Sequence, residues 1–412
     1  FKLIYFYFSM KKLALYWQIL IAFALSVLYG LFFSDHVHLV AWMGDVFIKA
    51  LKMIIIPLIF TSIVSGIANV GSGDNLGRLG IKTIGYYLST STVALCIGLV
   101  VVNIFKPGVG ADLGFANQVE GLGVAKESFG STLMNIVPDN LFVAMVENQM
   151  LSIIFFAILM GFFITKIKDK SQKILLGFFD SLFELIMKIT LFIIKFTPYG
   201  IFGIVAKQIA ENNDLGELFS RLGLFMLVVI LALFIHAFVV LPIVLRTIGR
   251  VNPVKHFNAM RTPLITAFST SSSNATLPLT MNAVKKNSGV STKISSFTLP
   301  LGATVNMDGT ALYELVAAMF IAQAYGIELT ITEQIIGVLT GLLASIGAAG
   351  IPMAGLVMIS VVLSAMGLPL EGVGLILAVD RILDMFRTTV NVWSDSCGAV
   401  IIAKSEGEKL KV

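Results

Sequence analysis

Between Asp380 and Asp395 the chain reads DRILDMFRTTVNVWSD, inside a segment otherwise apolar enough to cross a bilayer. At about 100° per residue, Asp380, Asp384, Arg387, Thr388, Asn391 and Asp395 share an arc of roughly 100°, with Ile382, Leu383, Phe386 and Val390 on the other side. An Asp or Arg at the middle of a membrane helix costs roughly 2.5–3.5 kcal/mol on insertion scales, so this stripe costs on the order of 10 kcal/mol if left in hydrocarbon. It must therefore face a polar cavity, a bound ion or a bound solute. Carboxylate, amide, hydroxyl and guanidinium on one face suit a small charged solute. Asp384 is placed for an ammonium, Asn391 and hydroxyls for an α-carboxylate, and Arg387 can grip a second carboxylate with two parallel N–H donors. The bland reading is an internal Asp384–Arg387 or Asp380–Arg387 ion pair with no ligand.

Three other polar runs interrupt apolar sequence. FSTSSSNA covers 268–275, with its tip at Ser271–Ser273 and Pro278 beyond it. NMDGT covers 306–310, and SIGAAGIPMAG covers 345–355. In NMDGT, Asp308 supplies hard oxygen, and Gly309 is expected to unwind the chain and free the carbonyls of Gly302, Thr304 and Asn306. Together with Asp395, Asn306 and Asn391 these atoms suit sodium. Asp308 could equally cap a helix at the break. Glu314 lies one turn further on; burial would favour its protonated form, which makes it a proton-carrier candidate, or else it pairs with a nearby cation.

Stepping outward, the 412 residues are 57% hydrophobic and 13% charged, against about 25% charged in soluble domains. Repeated long apolar runs make this an all-α polytopic membrane protein. Residues 1–9 read as an extension upstream of Met10-Lys11-Lys12, and residues 10–412 as one unit that begins with an uncleaved helix. Spans are expected over 13–33, 39–70, 81–105, a broken 131–166, 172–210 bent near Pro198, and 215–249. Lys and Arg concentrate at the N-terminus and after spans two, four and six, which puts both termini in the cytoplasm. From residue 254 the apolar arms shorten to about 12–15 residues around each Ser- or Gly-rich tip, too short to cross roughly 30 Å of hydrocarbon. Each tip then reads as a re-entrant hairpin, and each hairpin precedes a polar span. Two such repeats point to a midplane site in a transporter with inverted repeats. Cys96 and Cys397 read as small buried residues, and the four histidines show no metal-ligand spacing.

STSSSNATLP, LPLGATVNMDGTALYE, SIGAAGIPMAG and DRILDMFRTTVNVWSD, in that order and spacing, resemble the glutamate transporter family, the dicarboxylate/amino acid:cation symporters. The likeness runs from about residue 40 to 405. It implies eight transmembrane helices, two re-entrant hairpins, a homotrimer and an elevator motion. The scaffold and trimerisation helices would lie mainly in 13–105, 131–166, 172–210 and 215–249, helices 3 and 6 belonging partly to the transport domain, and residues 254–405 would form that domain's core. By motif, the resemblance assigns substrate to Ser272, Ser273, Thr310, Gly355, Asp384, Arg387, Thr388 and Asn391. One sodium falls on Gly302, Asn306, Asn391 and Asp395. A second falls on Thr304, Ser345, Ile346 and Ala348, and a third on Tyr87, Thr90, Ser91, Asn306 and Asp308. Glu314 resembles the proton-carrying glutamate of animal members. The second arginine that archaeal members carry in the first hairpin tip, and animal members directly after the aspartate, is absent here: Ser271 and Met385 hold those places.

The expected protein is a multi-pass symporter of the cell inner (cytoplasmic) membrane. It takes L-glutamate or L-aspartate with Na+, with or without H+, and uses no organic cofactor. A proton-coupled, sodium-independent glutamate or C4-dicarboxylate carrier is the alternative. A ligand-gated channel lacks motifs for a continuous pore, and an intramembrane serine enzyme lacks a base near Ser271–Ser273. No nucleotide-binding loop is present, and the net charge of +5 need not imply nucleic acid.

Overall fold

The computed structural model describes residues 15–70, 76–110, 136–211, 215–347 and 354–412, and the described residues contain helices and no strand. The helices are α1 (Leu15–Phe32), α2 (His38–Val70), α3 (Leu76–Phe105), α4 (Leu141–Val146), α5 (Met150–Ile164), α6 (Asp169–Ile194) and α7 (Thr197–Glu211). They continue with α8 (Leu215–Ile235), α9 (Leu241–Thr247), α10 (Pro253–Ala259), α11 (Arg261–Thr270), α12 (Ser273–Ala283) and α13 (Thr292–Val305). Last come α14 (Asp308–Ala324), α15 (Ile331–Gly347), α16 (Ala354–Ala365) and α17 (Val373–Ser405). Among the described residues, three stretches are long and apolar enough to cross a membrane: His38–Asn69, Arg78–Phe105 and Ser220–Thr247. The α6–α7 pair passes as a fourth, bent by 50°. With no water in a bilayer core, a helix satisfies its own backbone, so this apolar sequence can be nothing else at membrane depth.

Several boundaries have identifiable local causes. The bend expected near Pro198 falls just before it, between Ile194 and Thr197, because proline has no N–H to bond back into the preceding helix and fits the first turn of a new one. Asn140 starts α4, its Oδ1 accepting the Phe142 and Val143 amides at 2.8 and 3.4 Å. Pro242 stands at the start of α9, directly after a π-helical turn, His236–Val240, that keeps α8 and α9 continuous. Proline lacks the N–H that would close the preceding turn, and a wider turn absorbs the defect. Most of the Gly-rich loop expected over 106–130 lies outside the described residues, as do the 348–353 part of the second tip and residues 1–9.

The helices pack in two groups. In the first, α2 packs against α5, α6 and α7, and α1 lies along α7. In the second, α14 is the axis: Asp308 through Ala322 are all buried, wrapped by α3, α8, α15, α16 and α17. The groups meet where α15 and α16 lie on α2 and where α17 touches α7. Between them, Lys52 of α2 pairs with Glu371, in the turn before α17, at 3.3 Å. At the other end of α17, Glu406 holds Lys82 at 2.6 Å and Arg78 at 2.5 Å, tying that end to the start of α3. Of the cysteines, Cys397 is buried as expected, but Cys96 is exposed; its side of α3 does not face α14.

Candidate functional site

The stripe on α17 is buried as one row. Asp380, Asp384, Arg387, Thr388, Asn391 and Asp395 are each no more than 5% exposed. Arg387 is the hub. Its Nη2 lies 2.9 Å from Asp384 Oδ1 and 3.0 Å from Asp380 Oδ1. Its guanidinium carbon sits 3.9 Å over the ring of Tyr313 on α14. Among the described residues, its Nε and Nη1 have no hydrogen-bond partner. Both ion pairs of the ligand-free reading therefore form and still leave the Nε and Nη1 donors unspent. Charged N–H donors so placed can still bind a carboxylate oxygen. Gly355 makes the room: a β-carbon there would stand 2.7 Å from Arg387 Nη1 and 3.3 Å from Thr310 Cγ2.

A second guanidinium reaches this aspartate by another route. Arg381, one turn before Asp384, places Nη1 3.7 Å from Asp384 Oδ2. Ser271 and Met385, where the resemblance puts the arginine, lack the charge. The sequence signal was the i, i+3 spacing of Arg381 and Asp384.

Asn391 links α17 to the break between α13 and α14. Its Oδ1 accepts the Gly309 amide at 2.8 Å, and its Nδ2 donates to Thr310 Oγ1 at 3.0 Å. The break is where NMDGT predicts it, with one correction. Gly309 is helical, and its role is close approach: a β-carbon there would fall 2.6 Å from the Arg387 carbonyl oxygen. The chain leaves the helix at Asn306 and Met307 instead, and the Gly302 carbonyl still accepts the Asn306 amide at 2.9 Å.

Beyond Asn391 a second polar cluster forms around Asp308 and Asp395. Ser91 donates to Asp308 Oδ1 at 2.6 Å, and Thr90 Oγ1 lies 3.4 Å from both Asp308 Oδ1 and Asn306 Oδ1. Asn306 Nδ2 donates to Asp395 Oδ1 at 2.9 Å and to Ser394 Oγ at 3.0 Å, and Ser394 Oγ donates to Asp308 Oδ2 at 2.6 Å. Tyr87 is buried and donates to the Thr298 carbonyl at 2.7 Å. A β-carbon on Gly302 would come within 2.5 Å of Asp395 Oδ1 and 2.8 Å of the Tyr87 hydroxyl. Thus Tyr87, Thr90, Ser91, Gly302, Asn306, Asp308 and Asp395, from three stretches of sequence, converge. Hard carboxylate, amide and hydroxyl oxygens of this kind suit a hard cation.

Thr304, Ser345 and Ile346 gather less clearly. Thr304 is exposed and turns its hydroxyl back to Leu301 O at 3.0 Å, while buried Ser345 does the same to Leu342 O at 2.7 Å. Ala348 lies outside the described residues. In the first tip, Ser271 takes a left-handed conformation at φ 50° and its buried hydroxyl has no partner among the described residues. Ser272 then caps α12, its Oγ accepting the Ala275 amide at 3.2 Å, and Ser273 is buried behind it. Both arms, α11 and α12, pack on α17.

Two more groups complete the site. Glu314 is fully buried on α14, and among the described residues neither carboxylate oxygen has a hydrogen-bond partner. His236, to which the sequence reading gave no role, projects from the π-helical turn, is fully buried, and places Nε2 2.9 Å from Asp308 Oδ2. The buried ionisable inventory of the described residues is Asp308, Glu314, Asp380, Asp384 and Asp395 against Arg387, with His236 and His256 beside them.

Residues 15–405 match the model of the sodium:dicarboxylate symporter family. The chain is 36% identical over 412 residues to the proton/glutamate-aspartate symporter of Escherichia coli K12, covering 96% of this chain and 93% of that protein. It is also 36% identical over 409 residues to the proton/sodium-glutamate symport protein of Geobacillus stearothermophilus, covering 97% and 96%. Excitatory amino acid transporter 3 of Mus musculus is 37% identical over 424 residues, covering 90% of this chain and 80% of that one.

Proposed function

Because the chain belongs to the sodium:dicarboxylate symporter family, we propose that it couples inward sodium flux to uptake of L-glutamate or L-aspartate across the cell inner membrane. The observation that carries this reading is Arg387, held by Asp380 and Asp384 with Nε and Nη1 unspent. The substrate's side-chain carboxylate takes the unspent Nη1, with Thr310 beside it and Gly355 leaving the space. Its ammonium takes Asp384. Its α-carboxylate takes Asn391 and the tip at Ser272 and Ser273, with Thr388 alongside. Sodium takes the oxygens around Asp308 and Asp395, together with Tyr87, Thr90, Ser91, Gly302 and Asn306, and a further ion takes Thr304, Ser345, Ile346 and Ala348. Asn391 faces both substrate and sodium, so each ligand orders a side chain the other uses. A proton travels on Glu314, since an ionised carboxylate without a partner is expensive to bury.

The architecture proposed is eight transmembrane helices with α11–α12 and α15–α16 as re-entrant hairpins, both termini cytoplasmic, in a homotrimer. The first helix group is the scaffold, and the second carries the site as an elevator. Relative level along α2 supports a cargo group displaced toward the cytoplasm. Ile346, at the tip end of α15, lies against Gly66. Gly66 is about 42 Å along α2 from His38, at a rise of about 1.5 Å per residue, and the basic Arg78–Lys82 stretch follows that end of the helix.

Uptake of labelled L-aspartate and L-glutamate by the purified protein in proteoliposomes, with imposed Na+, H+ and K+ gradients, tests the reading. Saturable uptake that requires an inward sodium gradient is expected. Sodium-independent uptake driven by protons would select the alternative carrier, and unitary currents without saturable flux would select a channel. Glu314→Gln is expected to flatten the pH dependence of uptake; an unchanged profile removes the proton from the mechanism.

A further inference from the structure

The back of the site helix borders a crevice that neither substrate nor sodium uses. Phe386 and Trp393, on the apolar side of α17, face Phe234 and Phe238 of the α8–α9 rod and Phe257 and Phe268 of α10 and α11 around a cavity of about 220 Å³. Half of its lining residues are aromatic, and the rest, Thr389 apart, are aliphatic. Ring centroids lie 4.7 Å apart for Phe234–Phe238, 5.9 Å for Phe238–Phe257, 5.5 Å for Phe257–Trp393 and 5.2 Å for Phe268–Phe386. Phe234 and Phe238 are each at least half exposed, on a rod long and apolar enough to cross a membrane. The crevice is therefore open to hydrocarbon, with room for a run of methylenes and none for a polar headgroup.

The stretch that supplies most of its lining carries charge of one sign. From residue 218 to residue 307 the chain has no Asp or Glu. Arg246, Arg250, Lys255 and Arg261 fall within that stretch and are all exposed. Lys255 stands two residues before Phe257 on α10. On α11, Arg261, Leu264 and Phe268 recur at i, i+3 and i+7, so the guanidinium shares a helix face with two crevice residues. A cluster of cations at the end of an apolar crevice complements an anionic lipid, acyl chain inward and headgroup at the basic end.

We infer that this crevice binds one anionic phospholipid of the cytoplasmic leaflet, with its acyl chain between α8, α11 and α17 and its headgroup on Lys255, Arg261 and the neighbouring arginines. The lipid would press on the apolar side of the helix that carries Asp384, Arg387 and Asn391. Lipid composition would then reach the substrate site through α17, with no contact to substrate.

Trp393 is a built-in reporter of occupancy, independent of transport. In the full-length protein with Trp17→Phe and Trp42→Phe, both exposed positions, Trp393 is the remaining tryptophan of three. The variant is reconstituted in phosphatidylcholine vesicles in which either the phosphatidylcholine or an admixed phosphatidylglycerol carries brominated acyl chains, at equal mole fraction. Brominated phosphatidylglycerol is expected to quench Trp393 at least twofold more than brominated phosphatidylcholine. The added charge substitutions Lys255→Gln and Arg261→Gln are expected to erase that difference while leaving size-exclusion behaviour unchanged. Equal quenching by both lipids would mean bulk hydrocarbon without headgroup selection and would overturn the proposal. Absence of quenching by either would mean a dry crevice and overturn it as well. A preference that survives both charge substitutions would overturn the headgroup assignment.

Discussion

Arg387 has no exposed atom and spends only part of its fork on Asp380 and Asp384. Its replacement by cysteine is expected to remove the grip on the substrate's second carboxylate. Competition assays should show aspartate affinity down by a factor of about 100, the size of a lost charge-assisted hydrogen bond of about 3 kcal/mol, with neutral amino acids newly admitted. Undiminished aspartate affinity would refute the role. Gly355→Ala leaves the guanidinium in place but puts a carbon 2.7 Å from Nη1. Overpacking of that kind costs about 1–3 kcal/mol, so the half-saturation constant for aspartate should rise about tenfold or more while sodium dependence persists. At this scale much of the site was legible. The stripe announced itself because polar residues recurred at i, i+3 and i+4 in a run that otherwise had to face hydrocarbon. His236 was not legible. A single histidine between Ile235 and Ala237 has no periodic partner, and its meaning lies in Asp308, 72 positions away. Gly309 was legible as special but not as a contact, since helix separation is a tertiary fact.

The elements explain why those side chains meet. α13 and α14 stop and restart at Asn306–Met307, which leaves polar backbone at depth only where α17 and α3 cover it. The break itself could be read from NMDGT. The π-helical turn could not, although Pro242 marked its end: a proline says that a turn must adjust, not which side chain the adjustment turns inward. That turn aims His236 at Asp308 and lets the Ala237 carbonyl accept Trp393 Nε1 at 3.0 Å, fixing α8 against α17. His236 is therefore expected to act as a positioning residue for Asp308, the carboxylate proposed to hold sodium. His236→Leu should raise the half-saturation constant for sodium about tenfold, the equivalent of about 1.4 kcal/mol. His236→Gln, which keeps a donor, should recover part of the loss. Equal sodium dependence in wild type and the leucine variant would show that Ser91 and Ser394 hold Asp308 without help.

At the scale of the whole molecule, two helix groups share a boundary along α2, and their register is set by contacts that no local pattern encodes. The Lys52–Glu371 pair spans that boundary with both side chains nearly half exposed, so it contributes at most about 1 kcal/mol and reports position better than it holds it. In a background with Cys96 replaced, since that thiol is exposed, cysteines at 52 and 371 joined by a short bifunctional reagent are expected to arrest uptake, with recovery on release of the link. Full uptake while cross-linked would mean that the groups do not slide past each other during transport. The inventory of buried charge carries a consequence of a different kind. Five carboxylates and one guanidinium sit in the helix group proposed to move, and an acidic amino acid adds a further negative charge. Each uncompensated elementary charge carried through 100 mV exchanges about 2.3 kcal/mol with the membrane field. The number of cations bound on each leg of the cycle therefore decides which leg the membrane voltage drives and which it opposes, so the resting potential is itself a reactant in this transport.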